Sequence, residues 1–178
     1  MMEHLWERMI RAAKLDVSLY EEVEADREAL KQATIVVVLA SVAAGVGASS
    51  RAGIGGLIVG SIAALAGWYV WSFLTYWIGT HFLPEPQTNA DYGELLRAIG
   101  FSSSPGVIRV LAVVPGWTGL VFFVVSIWML VAMVVAVRQA LDYTGTPRAV
   151  AVCVIGWIVQ VLILAVLYVM YFGVAASA

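Results

Sequence analysis

The sequence is poor in charged residues, and this scarcity limits the class of protein. Asp, Glu, Lys and Arg make up 12% of its 178 residues, whereas hydrophobic residues make up 62%. Soluble domains carry about a quarter charged residues, so this composition excludes an ordinary soluble domain and indicates an integral membrane protein. The formal net charge is −2, which provides no basic surface for nucleic acid. No nucleic-acid partner is predicted.

Cysteine, histidine and recognisable catalytic groups are almost missing as well. The lone Cys153 has no second cysteine to pair with, and His4 and His81 lie far apart in the sequence. The long uncharged stretches hold no Asp or Glu for a proton or sodium relay, and no nucleophile stands in a known motif. We therefore predict no catalytic residue, no metal site and no cofactor, and a non-enzymatic protein.

The sequence contains four long stretches without charged residues. They cover residues 32–50, 52–84, 110–137 and 149–178. A hydrocarbon core of about 30 Å requires roughly 20 apolar residues of helix, so each stretch is long enough to span a bilayer. The first 32 residues hold 13 of the 22 charged residues, and this pattern predicts no cleavable signal peptide.

The number of spans depends on Pro115 and Gly116, which interrupt an apolar region. A single helix from Pro105 to Val137 would be about 50 Å long, more than tilt normally absorbs. A Pro-Gly pair ends a helix readily, so we predict that the chain reverses there. Pro105 to Val114 then gives only about 15 Å of helix. The third segment is therefore either short and tucked against its neighbours or begins upstream, near Arg97.

The basic residues agree with this reversal. With it, all lysines and arginines outside the spans fall on one side except Arg51, which favours a cytoplasmic N-terminus and an outside C-terminus. The sequence predicts an all-α, polytopic membrane helix bundle of five transmembrane segments, the third one short. Residues 1–32 form cytoplasmic or interfacial amphipathic and lead-in helices, and residues 33–178 form the bundle. A bacterial inner membrane is the predicted location.

The N-terminal 15 residues show helical periodicity, with apolar residues at three- and four-residue spacing. Trp6 and Ile10 are predicted to contact a membrane surface or a partner, and Arg8 and Arg11 to face anionic headgroups. Packing on the protein's own cytoplasmic loops is the alternative. Ser18 with Glu21 predicts a capping box, from which one continuous helix runs into the first span.

Small residues recur along the second span. They occupy positions 56, 60, 64 and 67, where Gly56, Gly60, Ala64 and Gly67 form one stripe. Ala40 and Ala44 give the first span a matching stripe. Such stripes let backbones approach closely, so the two spans are predicted to pack directly on each other, although a homodimer would use the same pattern.

Several short motifs, in a consistent order, resemble the bacterial branch of the Yip family. They are "LYEEVEADREALKQA" before the first span, then "ELLRAIGFSSSP", "VVPGWTGL", "VSIWMLV" and "VRQALDYTGTPRAVAV". The resemblance covers about residues 15 to 170 and implies a five-span membrane protein. Eukaryotic members interact with Rab GTPases in early secretory membranes. Gly100-Phe101 before Pro105 is similar to the family's Gly-Tyr…Pro element, whereas the family's aspartate-leucine-tyrosine-glycine-proline motif is absent.

Three functions stay open at this point. The leading hypothesis is a non-enzymatic membrane protein that organises lipids or docks other membrane proteins, with membrane lipids and other membrane proteins or a second copy as partners. The second is an accessory subunit of a larger membrane complex, for example one that carries pigments or haem. The aromatic-rich second span would be the contact. The third is a small-solute channel lined by Gln160 and Arg109.

Overall fold

The computed structural model describes residues 3–48 and 53–177, which are helical with no β-strand. A π-helical turn covers Ile78–Phe82, and a 3-10 segment covers Ser104–Val113. Met2 and Arg51 lie outside the described residues. The helices are α1 (Glu3–Ala13), α2 (Val17–Ala25), α3 (Ala29–Gly47), α4 (Gly53–Trp77), α5 (Tyr92–Ser102), α6 (Thr118–Ala140) and α7 (Thr146–Ser177).

Within residues 3–48 and 53–177, five helical segments are long and apolar enough to span a membrane, which confirms the predicted bundle. The reversal in the middle of the chain follows from local geometry. The 3-10 segment ends at Val113, Gly116 adopts a φ of +85°, and α6 begins at Thr118. Glycine takes such a φ without steric penalty, so the chain turns sharply there. The 3-10 segment and α6 then pack against each other as a hairpin.

The third span is not short, and of the two predicted alternatives the one in which it begins upstream, near Arg97, is correct. It covers the 22 residues Tyr92–Val113, because α5 and the 3-10 segment follow each other with only Ser103 between them. A 3-10 helix rises about 2.0 Å per residue against about 1.5 Å for an α-helix, so the two pieces together reach about 36 Å. The span begins upstream of Arg97, at a capping box in which Asp91 and Glu94 bind each other's backbone N–H.

The predicted continuous lead-in helix is wrong, because the chain breaks between α2 and α3. Asp26 leaves the helical conformation, and its carboxylate accepts from the backbone N–H of Glu28 at 3.0 Å. The same carboxylate lies 3.0 Å from the Arg8 guanidinium. The predicted Ser18 capping box is also replaced. Asp16 caps α2 by accepting from the backbone N–H of Ser18.

Helix α1 packs on the membrane-spanning helices themselves rather than on loops. Leu5, Met9 and Ala12 are buried, and α1 contacts α5 and the 3-10 segment. The indole of Trp128, near the middle of α6, donates to the carbonyl of Ala13 at 2.7 Å. This bond satisfies one of the free carbonyls at the end of α1. The N-terminal helix is therefore part of the bundle.

The third span is the most buried of the five, and its most extensive contact is that of the 3-10 segment with the first span. A Cβ at Gly106 would lie 2.9 Å from that of Ala40, and one at Gly100 would lie 2.7 Å from that of Ala33. Both distances are too short for ordinary packing, so glycine is what allows the first and third spans to approach. This contact positions the backbone of the 3-10 segment, which carries Arg109.

Candidate functional site

The first and second spans pack directly on each other as predicted, but Gly60 and Gly67 of the small-residue stripe do not provide this contact. A Cβ on Gly60 or Gly67 would meet no atom within 4 Å. The first and second spans do touch, since the hydroxyls of Ser41 and Ser61 lie 3.0 Å apart. Close approach occurs instead between the first and third spans, where Ala40 lies against a glycine of the 3-10 segment. Gly56, Ala64 and Ala44 are only partly buried.

The two N-terminal arginines do not face outward as predicted, because both bind carboxylates of α2 and its flanks. Arg8 lies 2.8 Å from Glu22 and 3.0 Å from Asp26, and its side chain is 14% exposed. Arg11 lies 2.8 Å from Asp16 and 2.6 Å from Glu22. The hydrogen bond from Arg11, with a second from Ser18, lowers the pKa of Asp16 to about 2. This network joins α1 to α2.

Trp6 and Ile10, by contrast, do lie on the outer face of α1. Their side chains are 54% and 55% exposed, while Leu5 and Met9 on the opposite face are buried. An aromatic and an aliphatic side chain remain available for contact on a helix that is otherwise attached to its own bundle. Of the four residues predicted to contact a membrane surface or a partner, Trp6 and Ile10 therefore remain available for that contact.

A cavity of about 440 Å³ lies within the bundle, and it brings together two polar residues singled out from the sequence. Arg109 reaches it from the 3-10 segment and Gln160 from α7. Hydroxyls of Ser41, Ser103 and Ser126 add polar groups to a lining that is otherwise mostly apolar. Its lining comes from α3, α4, the third span, α6 and α7.

Arg109 is the one charged side chain in the described lining of this cavity, which includes no Asp or Glu. One terminal nitrogen donates to the hydroxyl of Ser126 at 3.0 Å, and the guanidinium carbon lies 5.3 Å from the centre of the Phe122 ring. The Nε is buried and has no hydrogen-bond partner. A buried donor without an acceptor costs roughly 1–3 kcal/mol, more when it is charged, so this site is suited to receive an acceptor.

An apolar groove of about 570 Å³ lies beside the cavity, between α6 and α7. Trp71, Leu130 and Met133 line both spaces, so the two are neighbours with these side chains between them. Aliphatic side chains of both helices line the rest of the groove, together with Cys153 and Trp157. The combined space has a cationic polar end and a long apolar end, which is the shape and polarity of an amphiphilic molecule.

The aromatic side chains of the second span divide between packing and exposure. The indole of Trp68 is buried and donates to the carbonyl of Leu96 at 3.0 Å, and that of Trp71 lies 3.0 Å from the sulfur of Met133. Phe73 and Trp77 are half-exposed and stack on each other. The aromatic row therefore forms one wall of the cavity and one outward face.

A polar cleft of about 740 Å³ lies at the end of the bundle that carries α2 and the α6–α7 turn. It is lined by Glu21, Glu24 and Asp142, among others. Burial, followed by the charges of Asp142, Glu94 and Glu21, raises the pKa of Glu24 to about 7, with Arg97 opposing. Among the described residues, no group of three His, Cys, Asp or Glu side chains could hold a metal ion.

Sequence reasoning missed the serines that accompany Arg109. Ser126 is the one polar residue between Thr118 and Arg138 in α6, and an isolated hydroxyl in an apolar span was a usable signal. Its role depends on the hairpin, which places it beside the 3-10 segment. The arrangement of Arg109, Ser126 and Gln160 arises from tertiary packing, because they lie on three different helical segments.

Comparisons with known proteins add the family. The family model described as the Yip1 domain matches residues 18–175. No curated protein and no solved structure matches the chain. The matched range begins in α2 and covers all five spans, and it includes both the cavity and the groove. The chain therefore belongs to the Yip1-domain family of membrane proteins.

Proposed function

We propose that this protein is a non-enzymatic membrane protein that organises lipids by holding a lipid molecule inside its bundle. The observation that carries the proposal is that the Arg109 cavity and the apolar α6–α7 groove lie side by side and share three lining residues. Pockets for small molecules are concave and mostly apolar with a few polar groups that fix orientation, and the two spaces together have that character. A lipid is the amphiphile that surrounds a membrane protein in highest concentration.

The groove is accessible from the hydrocarbon region. Val150 and Val154 line it and are 41% and 49% exposed on the surface of a helix that would face lipid. An acyl chain would enter between α6 and α7 without the bundle having to unfold. Bound lipid would fill the space between the two helices. Because it binds only the folded protein, it would stabilise the fold by mass action.

The groove can be tested by filling it. We expect Val150→Trp to displace co-purifying lipid, because a bulky ring would occupy the space of a chain. Ile62→Trp is the matched control, since Ile62 is 62% exposed on α4 and lines neither space. The lipid retained per protein after purification in mild detergent is the measurement. Equal lipid content in the wild type and Val150→Trp would contradict the proposal.

For orientation, we propose a cytoplasmic N-terminus in the inner membrane. Arg8 and Arg97 bind groups at the end of α2, Arg138 binds the α6–α7 turn, and Arg148 lies at the start of α7 beside that turn. Positive residues favour the cytoplasmic side, so this end of the bundle is assigned to it. Reporter fusions after Gly145 and at Ala178 test this. A fusion at Gly145 that reports the outer side would reverse the assignment.

A second function, docking of another membrane protein, is supported by one observation. Trp6 and Ile10 are exposed on a helix whose opposite face is buried. Trp is enriched at the centres of protein interfaces, so this pair suits a partner contact. Co-purification of a stoichiometric partner that is lost in Trp6→Ala would favour docking. Retention of that partner in Trp6→Ala would exclude this surface.

A further inference from the structure

We infer that the bound lipid is an anionic phospholipid, whose phosphate binds Arg109 while one acyl chain lies in the α6–α7 groove. This inference rests on the proposed function and names the class of lipid. It follows from the charge of the cavity, the free donors of Arg109 and the position of the groove relative to them.

The charge of the cavity selects the headgroup. Arg109 is cationic at any physiological pH, and no acidic residue accompanies it in the described lining. Arg109 has no salt bridge with any described carboxylate, whereas Arg8 and Arg11 have theirs. A charge within a bilayer costs at least about 2.5 kcal/mol unless it is paired. A ligand with one net negative charge would neutralise the site, and a zwitterionic lipid would not.

The donors of Arg109 match a phosphate. Its Nε is buried and unpartnered, and the bond from its terminal nitrogen to Ser126 fixes the plane of the guanidinium. A planar guanidinium presents its Nε and a terminal nitrogen to two oxygens of one phosphate, which gives two parallel charge-assisted bonds. The Ser103 hydroxyl lines the same cavity and supplies a further donor.

The groove distinguishes a lipid from free phosphate. An inorganic anion would fill only the polar end of the space, leaving the apolar groove to other molecules. The groove shares Trp71, Leu130 and Met133 with the cavity, so a chain attached to a phosphate at Arg109 has to pass only these side chains to reach it. One phospholipid molecule then occupies both the cavity and the groove.

The test measures binding by the full-length protein in detergent with native mass spectrometry. The probes are phosphatidylglycerol and phosphatidylcholine with identical acyl chains, and inorganic phosphate as a competitor. We expect phosphatidylglycerol to bind at least about tenfold more tightly than phosphatidylcholine, as a charge-assisted bond would give. Arg109→Gln should abolish this preference, and Arg109→Lys should keep most of it. Inorganic phosphate should not displace the lipid.

Arg148→Gln is the matched control, because this exposed arginine lies in the first turn of α7 and lines neither space. We expect it to keep the wild-type preference. Equal affinity of the wild-type protein for the two lipids would overturn the inference while leaving the proposed function intact. Absence of any lipid binding would overturn both. A loss of equal size in Arg109→Gln and Arg109→Lys would contradict recognition by charge, and displacement by inorganic phosphate would assign the site to a free anion.

Discussion

The Nε of Arg97, on the third span, donates a hydrogen bond of 3.0 Å to the backbone carbonyl of Val23, near the end of α2. A terminal nitrogen of the same guanidinium binds the carbonyl of Glu24. The last carbonyls of a helix have no partner within the helix, so Arg97 serves as an end cap supplied from another element. This connection holds the N-terminal helices on the bundle.

Replacing Arg97 by Ala should therefore destabilise the protein. Arg97 is 6% exposed, and its loss leaves two backbone carbonyls without donors. We expect a loss of about 2–5 kcal/mol in the free energy of unfolding, measured by thermal unfolding in detergent. Arg27→Ala, an exposed arginine between α2 and α3, should change it by less than about 0.5 kcal/mol. Similar effects of the two substitutions would contradict the capping role.

Stability should fall as pH rises through neutrality because of Glu24. Burial raises the pKa of its carboxyl from 4.5 to about 7 in the folded protein, so the folded state holds this proton more tightly than the unfolded state. The contribution is fully present below the unfolded pKa and is lost as pH rises through about 7. It amounts to no more than about 3 kcal/mol.

The measurement is the melting temperature of wild type and Glu24→Gln between about pH 5 and pH 8, above the range in which ordinary carboxylates titrate. We expect Glu24→Gln to gain stability relative to the wild type as pH rises, because the amide cannot ionise in the cleft. An identical pH dependence in both proteins would show that Glu24 does not titrate in this range.

The close contact between the first and third spans predicts an asymmetry among glycines. Gly106→Leu should destabilise the protein by about 1–3 kcal/mol or more, because its side chain would collide with Ala40 and with Met129. Gly60→Leu should be tolerated, since the space beside Gly60 is open. Thermal unfolding in detergent compares the two variants. A larger loss of stability in Gly60→Leu than in Gly106→Leu would show that the stripe of the second span is the packing surface.

The two faces of α1 should respond differently to truncation. Leu5→Ala removes a fully buried side chain and should cost about 2–5 kcal/mol of stability. Trp6→Ala removes an exposed one and should leave the free energy of unfolding nearly unchanged. The two melting temperatures in detergent make the comparison. A large loss in Trp6→Ala without loss in Leu5→Ala would mean that α1 packs through the opposite face.

The spans and the central reversal could be predicted because their signals are local. Uncharged stretches identify membrane helices, and Pro115-Gly116 is a turn within a short segment of chain. The break at Asp26 could not be predicted, since that segment has no strong helix breaker. Its carboxylate is held by Arg8, and Arg97 binds the carbonyls before it, so the break depends on residues distant in sequence.

The same distinction explains the stripe of small residues. The spacing of Gly60 and Gly67 identifies a smooth helix face, but it does not say which helix, if any, lies there. Ala40 belongs to a smooth face as well, and this one is used, by Gly106 of the third span. For the site, the sequence identified Arg109 and Gln160 as unusual residues. It could not reveal that packing places them on one cavity.

The central claim is that a lipid occupies the space between α6 and α7, and photo-crosslinking tests it most directly. The full-length protein is reconstituted with phosphatidylglycerol that carries a diazirine on its acyl chain, irradiated, and mapped by mass spectrometry. The account predicts crosslinks concentrated on groove residues such as Met133, Val154 and Trp157, reduced in Val150→Trp. Crosslinks spread evenly over exposed positions such as Ile58, Ile62 and Leu120, and unchanged in Val150→Trp, would contradict it.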